Sequence, residues 1–150
     1  LLSILWHTVC EGNQLQVTRI LNAWQAWGGQ LALGPLYDSN RMLNEPWSEN
    51  RLKQVKMELH YAVNRYFIAP NQILEHCHLL NTIPTRILHG RCDFLCPIEA
   101  GDSLHRAMPH AVYHILPNAG HIAQQAEMVD ALVCATDDFL HDVYGVSREH

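Results

Sequence analysis

An acid and a base stand at matched places in this 150-residue chain. Asp93 closes the run Ile87-Leu88-His89-Gly90-Arg91-Cys92-Asp93, and His121 closes Asn118-Ala119-Gly120-His121. Each follows a short apolar run and a turn that contains glycine. The two lie 28 positions apart, which leaves room for one helix and one strand between them. A carboxylate that orients an imidazole, and an imidazole that takes and returns a proton, form the acid–base part of Ser-His-Asp nucleophilic catalysis. Taken singly, Asp93 is an ordinary turn residue and His121 an ordinary loop residue. As a pair after two corresponding turns they point to catalysis. The nucleophile is missing: none of Ser3, Ser39, Ser48, Ser103 and Ser147 stands in a Gly-x-Ser-x-Gly turn.

The elements that must position this pair fall into two regions. Residues 1 to about 80 read as helices. Val17, Ile20, Leu21, Trp24, Trp27 and Leu31 recur at three- and four-residue steps and predict a helix over 15–33, weakened toward its end by Gly28-Gly29. Gly34-Pro35 stops it, and a polar loop follows to about Pro46. A second helix is expected from Ser48 or Glu49 to Phe67, with Ser48 as N-cap and Arg51 where a capping box would have Glu. Pro70 opens a shorter helical stretch to about Leu80. From Ile83 the pattern changes. Residues 85–89 and 111–116 read as strands, 97–107 as a helix with Pro97 in its first turn, and 123–141 as a helix carrying Met128, Leu132, Val133, Phe139 and Leu140.

Strand–helix–strand–helix predicts a parallel crossover unit, so the fold class is α/β. Functional groups in such sheets gather past the carboxyl ends of the strands, where Asp93 and His121 both fall. Two parallel strands make no stable sheet by themselves, and this half is expected to need partner strands. The chain opens on Leu1 without an initiator methionine, which adds the expectation that it begins inside a longer protein.

Bulk properties exclude several classes. With 48% apolar and 17% charged residues the composition is that of an ordinary globular domain. A formal charge of −5 and the lack of a Lys/Arg stripe argue against nucleic acid. The apolar start, residues 1–6, is too short for a membrane span and lacks the basic start of a signal peptide. Five cysteines, an odd number without a repeating pattern, argue for a reducing compartment, and the cytoplasm is the expected location. Glu75-His76-Cys77-His78 has ligand-type side chains, but no second pair at zinc spacing accompanies it. No metal and no organic cofactor is expected.

From Ile83 to Phe139 the chain resembles the prolyl aminopeptidases, or proline iminopeptidases. The stretches that carry the resemblance are Ile83-Pro84-Thr85, His89-Gly90-Arg91-Cys92-Asp93, Cys96-Pro97, Pro117-Asn118-Ala119-Gly120-His121 and Val129-Asp130-Ala131-Leu132-Val133. In the helical half, Ala23-Trp24-Gln25-Ala26-Trp27 is similar to the family's Trp-x-x-Trp-Glu helix. Glu58-Leu59-His60-Tyr61 is similar to its Glu-x-His-Tyr motif. The resemblance implies a partial α/β-hydrolase fold: a helical cap over residues 1–80, then the last β-α-β-α units of the catalytic domain over residues 81–150. It implies a serine aminopeptidase that releases N-terminal proline from small peptides, in which Asp93 and His121 are the triad acid and base. In that family's chain order the nucleophile precedes the acid, so the serine would lie upstream and these residues alone would be inactive.

The resemblance also implies that Glu58 holds the substrate's cationic amine, and that Tyr61 and Trp27 wall the pyrrolidine ring. Two positions depart from the family pattern. Gly28 stands where a second amine-binding Glu is usual, and Ala62 where an aromatic is usual. Other readings are a non-catalytic hydrolase remnant or interaction protein, and another capped α/β hydrolase such as an esterase or epoxide hydrolase.

Overall fold

A computed structural model describes residues 1–38 and 47–144. Most of the polar loop expected before Pro46, together with Ser39 and Ser147, lies outside the described residues. Two compact units emerge, one of Leu1–Gln30 with Pro35–Gln72, the other of Leu31–Gly34 with Ile73–His150.

The first unit is helical. Helix α1 spans Leu2–Glu11 and α2 spans Gln14–Leu33, its last turn falling in the second unit. Asn13 starts α2 with a reciprocal cap: its Oδ1 accepts the Gln16 N–H at 3.0 Å, and Gln16 Oε1 accepts the Asn13 N–H at 3.0 Å. Two of the helix's otherwise unpartnered donors are thereby satisfied. Gly28-Gly29 does not break α2, which runs on to Leu33. Helix α3 covers Glu49–Val63, and Ser48 caps it by accepting the Arg51 N–H at 3.3 Å.

The apolar positions of α1, α2 and α3 meet in one core of Val9, Val17, Leu21, Val55 and Leu59, flanked by Leu5, Trp6, Ile20, Trp24 and Leu52. Val55 and Leu59 are both 0% exposed. Burying an aliphatic side chain of this size stabilises by about 1.5–3 kcal/mol.

Helix α3 ends four residues before the expected Phe67. The Asn64 N–H and its side-chain Nδ2 both turn back to the His60 carbonyl, at 3.3 Å and 2.8 Å. Arg65, Tyr66 and Phe67 then take left-handed φ values of 52°, 56° and 57° in a 3₁₀ turn. Each such non-glycine residue costs about 1–2 kcal/mol. Tyr66 and Phe67, which the expected helix would have included, are exposed. Phe67 instead packs on Tyr61 and His60, with ring centroids 5.5 Å apart in both cases.

The second unit begins with helix α4, Gln72–His76, and the 3₁₀ turn Cys77–Leu80. Cys77 is buried there and its thiol donates to the Ile73 carbonyl. Then follow strand β1 (Arg86–Gly90), helix α5 (Ile98–Ala107), strand β2 (Val112–Leu116) and helix α6 (Ala126–Tyr144). β1 and β2 pair in parallel, from Arg86 opposite Val112 to Gly90 opposite Leu116. The expected crossover unit is present, as a two-stranded sheet.

Pro97 is the N-cap of α5, one place before its first turn. Helix α6 starts at Ala126 and not Ala123, and Gln125 just before it directs its side-chain oxygen to the Gly120 N–H. Arg86 ties β1 to α6 by ion pairs with Asp138 (3.4 Å) and Asp142 (2.6 Å), its guanidinium lying over the Phe139 ring. Among the described residues no helix is long and apolar enough to cross a membrane.

Candidate active site

Because β1 and β2 are parallel and in register, their carboxyl ends lie side by side and so do the turns that leave them. The Arg91 N–H donates to the Leu116 carbonyl at 2.8 Å, and the Cys92 N–H to the Ala119 carbonyl at 2.9 Å. These bonds draw the acid's turn onto the base's turn. The approach is close enough to require glycine at the end of β1. A Cβ on Gly90 would lie 2.4 Å from the Ala119 carbonyl oxygen and 2.5 Å from that of Gly120. A second close approach occurs at Gly101 of α5, where a Cβ would lie 2.5 Å from His89 Nδ1.

Asp93 is held at both carboxylate oxygens. Oδ1 accepts the N–H groups of Leu95 (3.0 Å) and Cys96 (2.8 Å). Oδ2 lies 3.0 Å from His121 Nδ1. The carboxylate is only 8% exposed, yet its charge is met by three donors, as burial demands. A carboxylate only accepts, so the bond to His121 places the hydrogen on Nδ1. Nε2 is therefore the free base, and among the described residues it takes no hydrogen bond. The His121 side chain is 38% exposed. A buried acid, an oriented imidazole and an open second nitrogen are what general-base catalysis requires.

The base's loop is fixed from two sides within this unit. The His121 N–H donates to the Ala32 carbonyl at 3.1 Å, and the Phe94 N–H to that of Leu31 at 3.2 Å, both at the end of α2. From the other side, Gln125, just before α6, holds the Gly120 N–H, and Glu127 Oε2 in the first turn of α6 accepts the Asn118 N–H at 2.9 Å. A cavity of about 520 Å³ opens beside the pair, lined by Leu88, Gly90, Asp93, His121, Met128 and Leu132 among others.

Two neighbours of the pair were not singled out by their residue types. His89 Nε2 donates to the Cys96 carbonyl at 2.8 Å and lies 3.9 Å from Asp93 Oδ2, bracing the turn that carries the acid. Cys96 itself is near: one ligand-type atom each from Asp93, Cys96 and His121 lies within 4.8 Å of the others. Burial pushes the Cys96 thiol up, and the Asp93 carboxylate pushes it further, so it stays protonated at neutral pH. The motif His-Gly-Arg-x-Asp-x-x-Cys-Pro contains both residues, but only the fold reveals that they face the carboxylate.

The remaining expected site residues, Glu58, Tyr61 and Trp27, are in the first unit. Glu58 Oε2 accepts the Trp24 Nε1–H at 2.7 Å, and Oε1 accepts from Gln54 Nε2 at 2.9 Å. Both donors are uncharged. Among the described residues no Lys or Arg pairs with Glu58, and the two neutral donors orient its carboxylate. Trp27 and Tyr61 are exposed, and the Trp27 ring lies 5.5 Å from that of Trp24. Gly28, on the same helix, has open space where a Cβ would go. Trp24, a ligand of the carboxylate, was read from sequence only as part of a helical stripe and a family motif.

No family model matches the chain. Its sequence is 38% identical over 120 residues to a proline iminopeptidase of Xylella fastidiosa (strain 9a5c), a match that covers 79% of this chain and 38% of that protein. It is 37% identical over 118 residues to a proline iminopeptidase of Xanthomonas citri, covering 78% and 37%. With a proline iminopeptidase of Arabidopsis thaliana it shares 34% over 135 residues, covering 88% and 35%. The chain thus spans between 35% and 38% of the length of these relatives.

Proposed function

Given that this chain is a relative of the proline iminopeptidases, we propose that it supplies the helical cap and the acid–base segment of a serine aminopeptidase. The complete enzyme removes proline from the N-terminus of small peptides. The observation that carries this reading is the 3.0 Å bond from His121 Nδ1 to the buried carboxylate of Asp93, with Nε2 left open. In this reading the sheet is part of an α/β-hydrolase sheet, and residues 1–80 form its cap. Support comes from the incomplete look of the sheet: two strands, beside an α6 face whose Val129, Leu132, Val133 and Leu140 remain exposed. The five cysteines are all free thiols, which supports a cytoplasmic location.

The chemistry follows from the geometry. His121 Nε2 takes the proton of a serine hydroxyl as that oxygen attacks the prolyl carbonyl. Asp93 steadies the imidazolium that forms and keeps its Nδ1–H in place. His121 then returns the proton to the departing amine, and water repeats the cycle on the acyl-enzyme. The serine and the oxyanion donors belong to a part of the enzyme outside these residues; without them the pair forms no covalent intermediate.

Glu58, charged and unneutralised, receives the protonated proline amine, and a charge-assisted bond of this kind contributes about 1.5–3 kcal/mol. Glu58→Gln in the complete enzyme should therefore lower kcat/KM on L-proline β-naphthylamide by roughly ten- to hundredfold, while hydrolysis of a simple naphthyl ester, which has no amine, is unchanged. Equal loss on both substrates would contradict the role. The converse variant is Gly28→Glu, whose Cβ meets nothing within 4 Å. It should raise kcat/KM on the proline amide, and absence of any gain would show that a second carboxylate there adds nothing.

The functional reading as a whole is tested by giving the complete polypeptide the amide and the ester side by side. Preference for the proline amide is expected. Preference for the ester makes it a capped esterase, and no hydrolysis of either makes it a non-catalytic framework.

A further inference from the structure

The trio Asp93, Cys96 and His121 does more than the proton transfer requires, because Cys96 has no part in that chemistry. It follows Asp93 by three residues and sits on the turn whose N–H groups hold the acid. Its sulfur, an Asp93 oxygen and a His121 nitrogen approach one another within 4.8 Å, and Cys96 and His121 are both exposed. Carboxylate, thiolate and imidazole together are a borderline-soft donor set that selects zinc(II) or cadmium(II) over magnesium or calcium. Bond lengths of about 2.0–2.3 Å in a tetrahedral site put neighbouring ligand atoms roughly 3.3–3.8 Å apart. Closing the widest gap in the trio needs a movement of roughly 1–1.5 Å, at a cysteine that is exposed.

We propose that Asp93, Cys96 and His121 form a three-ligand site for a thiophilic divalent cation, zinc(II) or cadmium(II). The fourth position is left to water. Binding displaces the thiol proton of Cys96 to solvent, so that the sulfur becomes a thiolate ligand, and the imidazole binds through a nitrogen that carries no hydrogen; where that nitrogen is Nδ1, its hydrogen passes to Nε2. If the proposed hydrolytic role holds, an occupied site also ties up the imidazole and switches the proton transfer off, so the same residues serve as an inhibitory metal switch.

The test is a direct one and needs no activity. Cadmium(II) is titrated into the purified complete polypeptide under reducing conditions, and the thiolate-to-cadmium charge-transfer absorption is followed in the ultraviolet. Far-ultraviolet circular dichroism is recorded for every variant to establish equal folding. One equivalent should bind. Cys96→Ser should abolish the band, and His121→Ala should weaken binding by at least roughly tenfold, the low end of what loss of even an outer-shell partner costs. Cys92→Ser and Cys134→Ser should leave the titration unchanged, and zinc(II) should displace cadmium(II). The proposal is overturned by absence of a band, by a band that survives Cys96→Ser, or by binding that ignores His121→Ala. Because the readout is binding, a negative result sinks the metal site alone and leaves the aminopeptidase reading standing.

Discussion

Asp93→Asn, introduced into the complete enzyme, is expected to lower kcat on a proline amide by about 10⁴-fold. An asparagine in the same pocket can keep the two N–H bonds from Leu95 and Cys96, because its carbonyl oxygen replaces Oδ1. What it presents to His121 is then an NH₂ group, a donor where Oδ2 was an acceptor. The imidazole must turn its lone pair toward that group and carry its hydrogen on Nε2, the nitrogen that should receive the proton. Substrate affinity does not pass through this bond, so KM should change little while kcat collapses. The measurement is the pair of constants on L-proline β-naphthylamide for wild type and variant. A fall of less than tenfold would mean that the carboxylate does not set the tautomer.

Gly90→Ala is the second large effect, and it is read on the chain itself. The added methyl group would meet the carbonyl oxygens of Ala119 and Gly120 at 2.4 Å and 2.5 Å, well inside contact distance. Both are backbone atoms in a loop held by the Ala32 carbonyl, Gln125 and Glu127, so neither moves aside cheaply. Overpacking against a fixed wall of this kind costs about 3 kcal/mol or more. For a chain of this length that lowers Tm by roughly 10 °C. The displacement also separates the two turns, which should lengthen the Asp93–His121 bond. Gly28 supplies a control within the same protein, since a Cβ there meets nothing within 4 Å. Gly28→Ala removes a mid-helix glycine and should raise stability by about 0.5–1 kcal/mol. Thermal unfolding of the two variants should move in opposite directions, and equal shifts would refute the argument from close approach.

The residues proposed to do the chemistry were legible because their types are unusual where they stand. Asp and His each follow an apolar run and a glycine turn, and the short apolar runs on either side of α5 identified the crossover unit. Sequence spacing alone also sufficed to bring Asp93 and His121 to one sheet edge. What holds them was hidden for a physical reason: the braces are largely backbone groups. The carbonyls of Leu31 and Ala32 carry no signature of side-chain type, yet they fix Phe94 and His121. Gln125 and Glu127 looked like ordinary residues at a helix start, and only the loop folded back onto them gives them their partners.

The helical half differs from the expected one where the second helix ends, at Val63 and not at Phe67. Tyr66 and Phe67 continue the apolar rhythm of α3, but the left-handed turn places them in solvent, beside Tyr61 and His60. Glu58 stood out by motif, whereas its neutral partners Trp24 and Gln54 did not. Those partners bear on the proposed role, in which neutral donors orient the carboxylate and leave its charge for a cationic substrate. Cys96 was visible only as half of a Cys-Pro pair; its place opposite the acid and the base required the turn geometry.

The account rests on Asp93 and His121 acting as one proton-transfer unit, and a double-mutant cycle tests that most directly. kcat on L-proline β-naphthylamide would be measured for the complete enzyme, for Asp93→Asn, for His121→Ala and for the pair of substitutions together. Residues that act as a unit are strongly non-additive. The double variant is therefore predicted to match His121→Ala to within about threefold, because a carboxylate without its imidazole has nothing left to orient. If the two losses multiply instead, each residue acts alone and the pair at the end of β1 and β2 is not the catalytic device proposed.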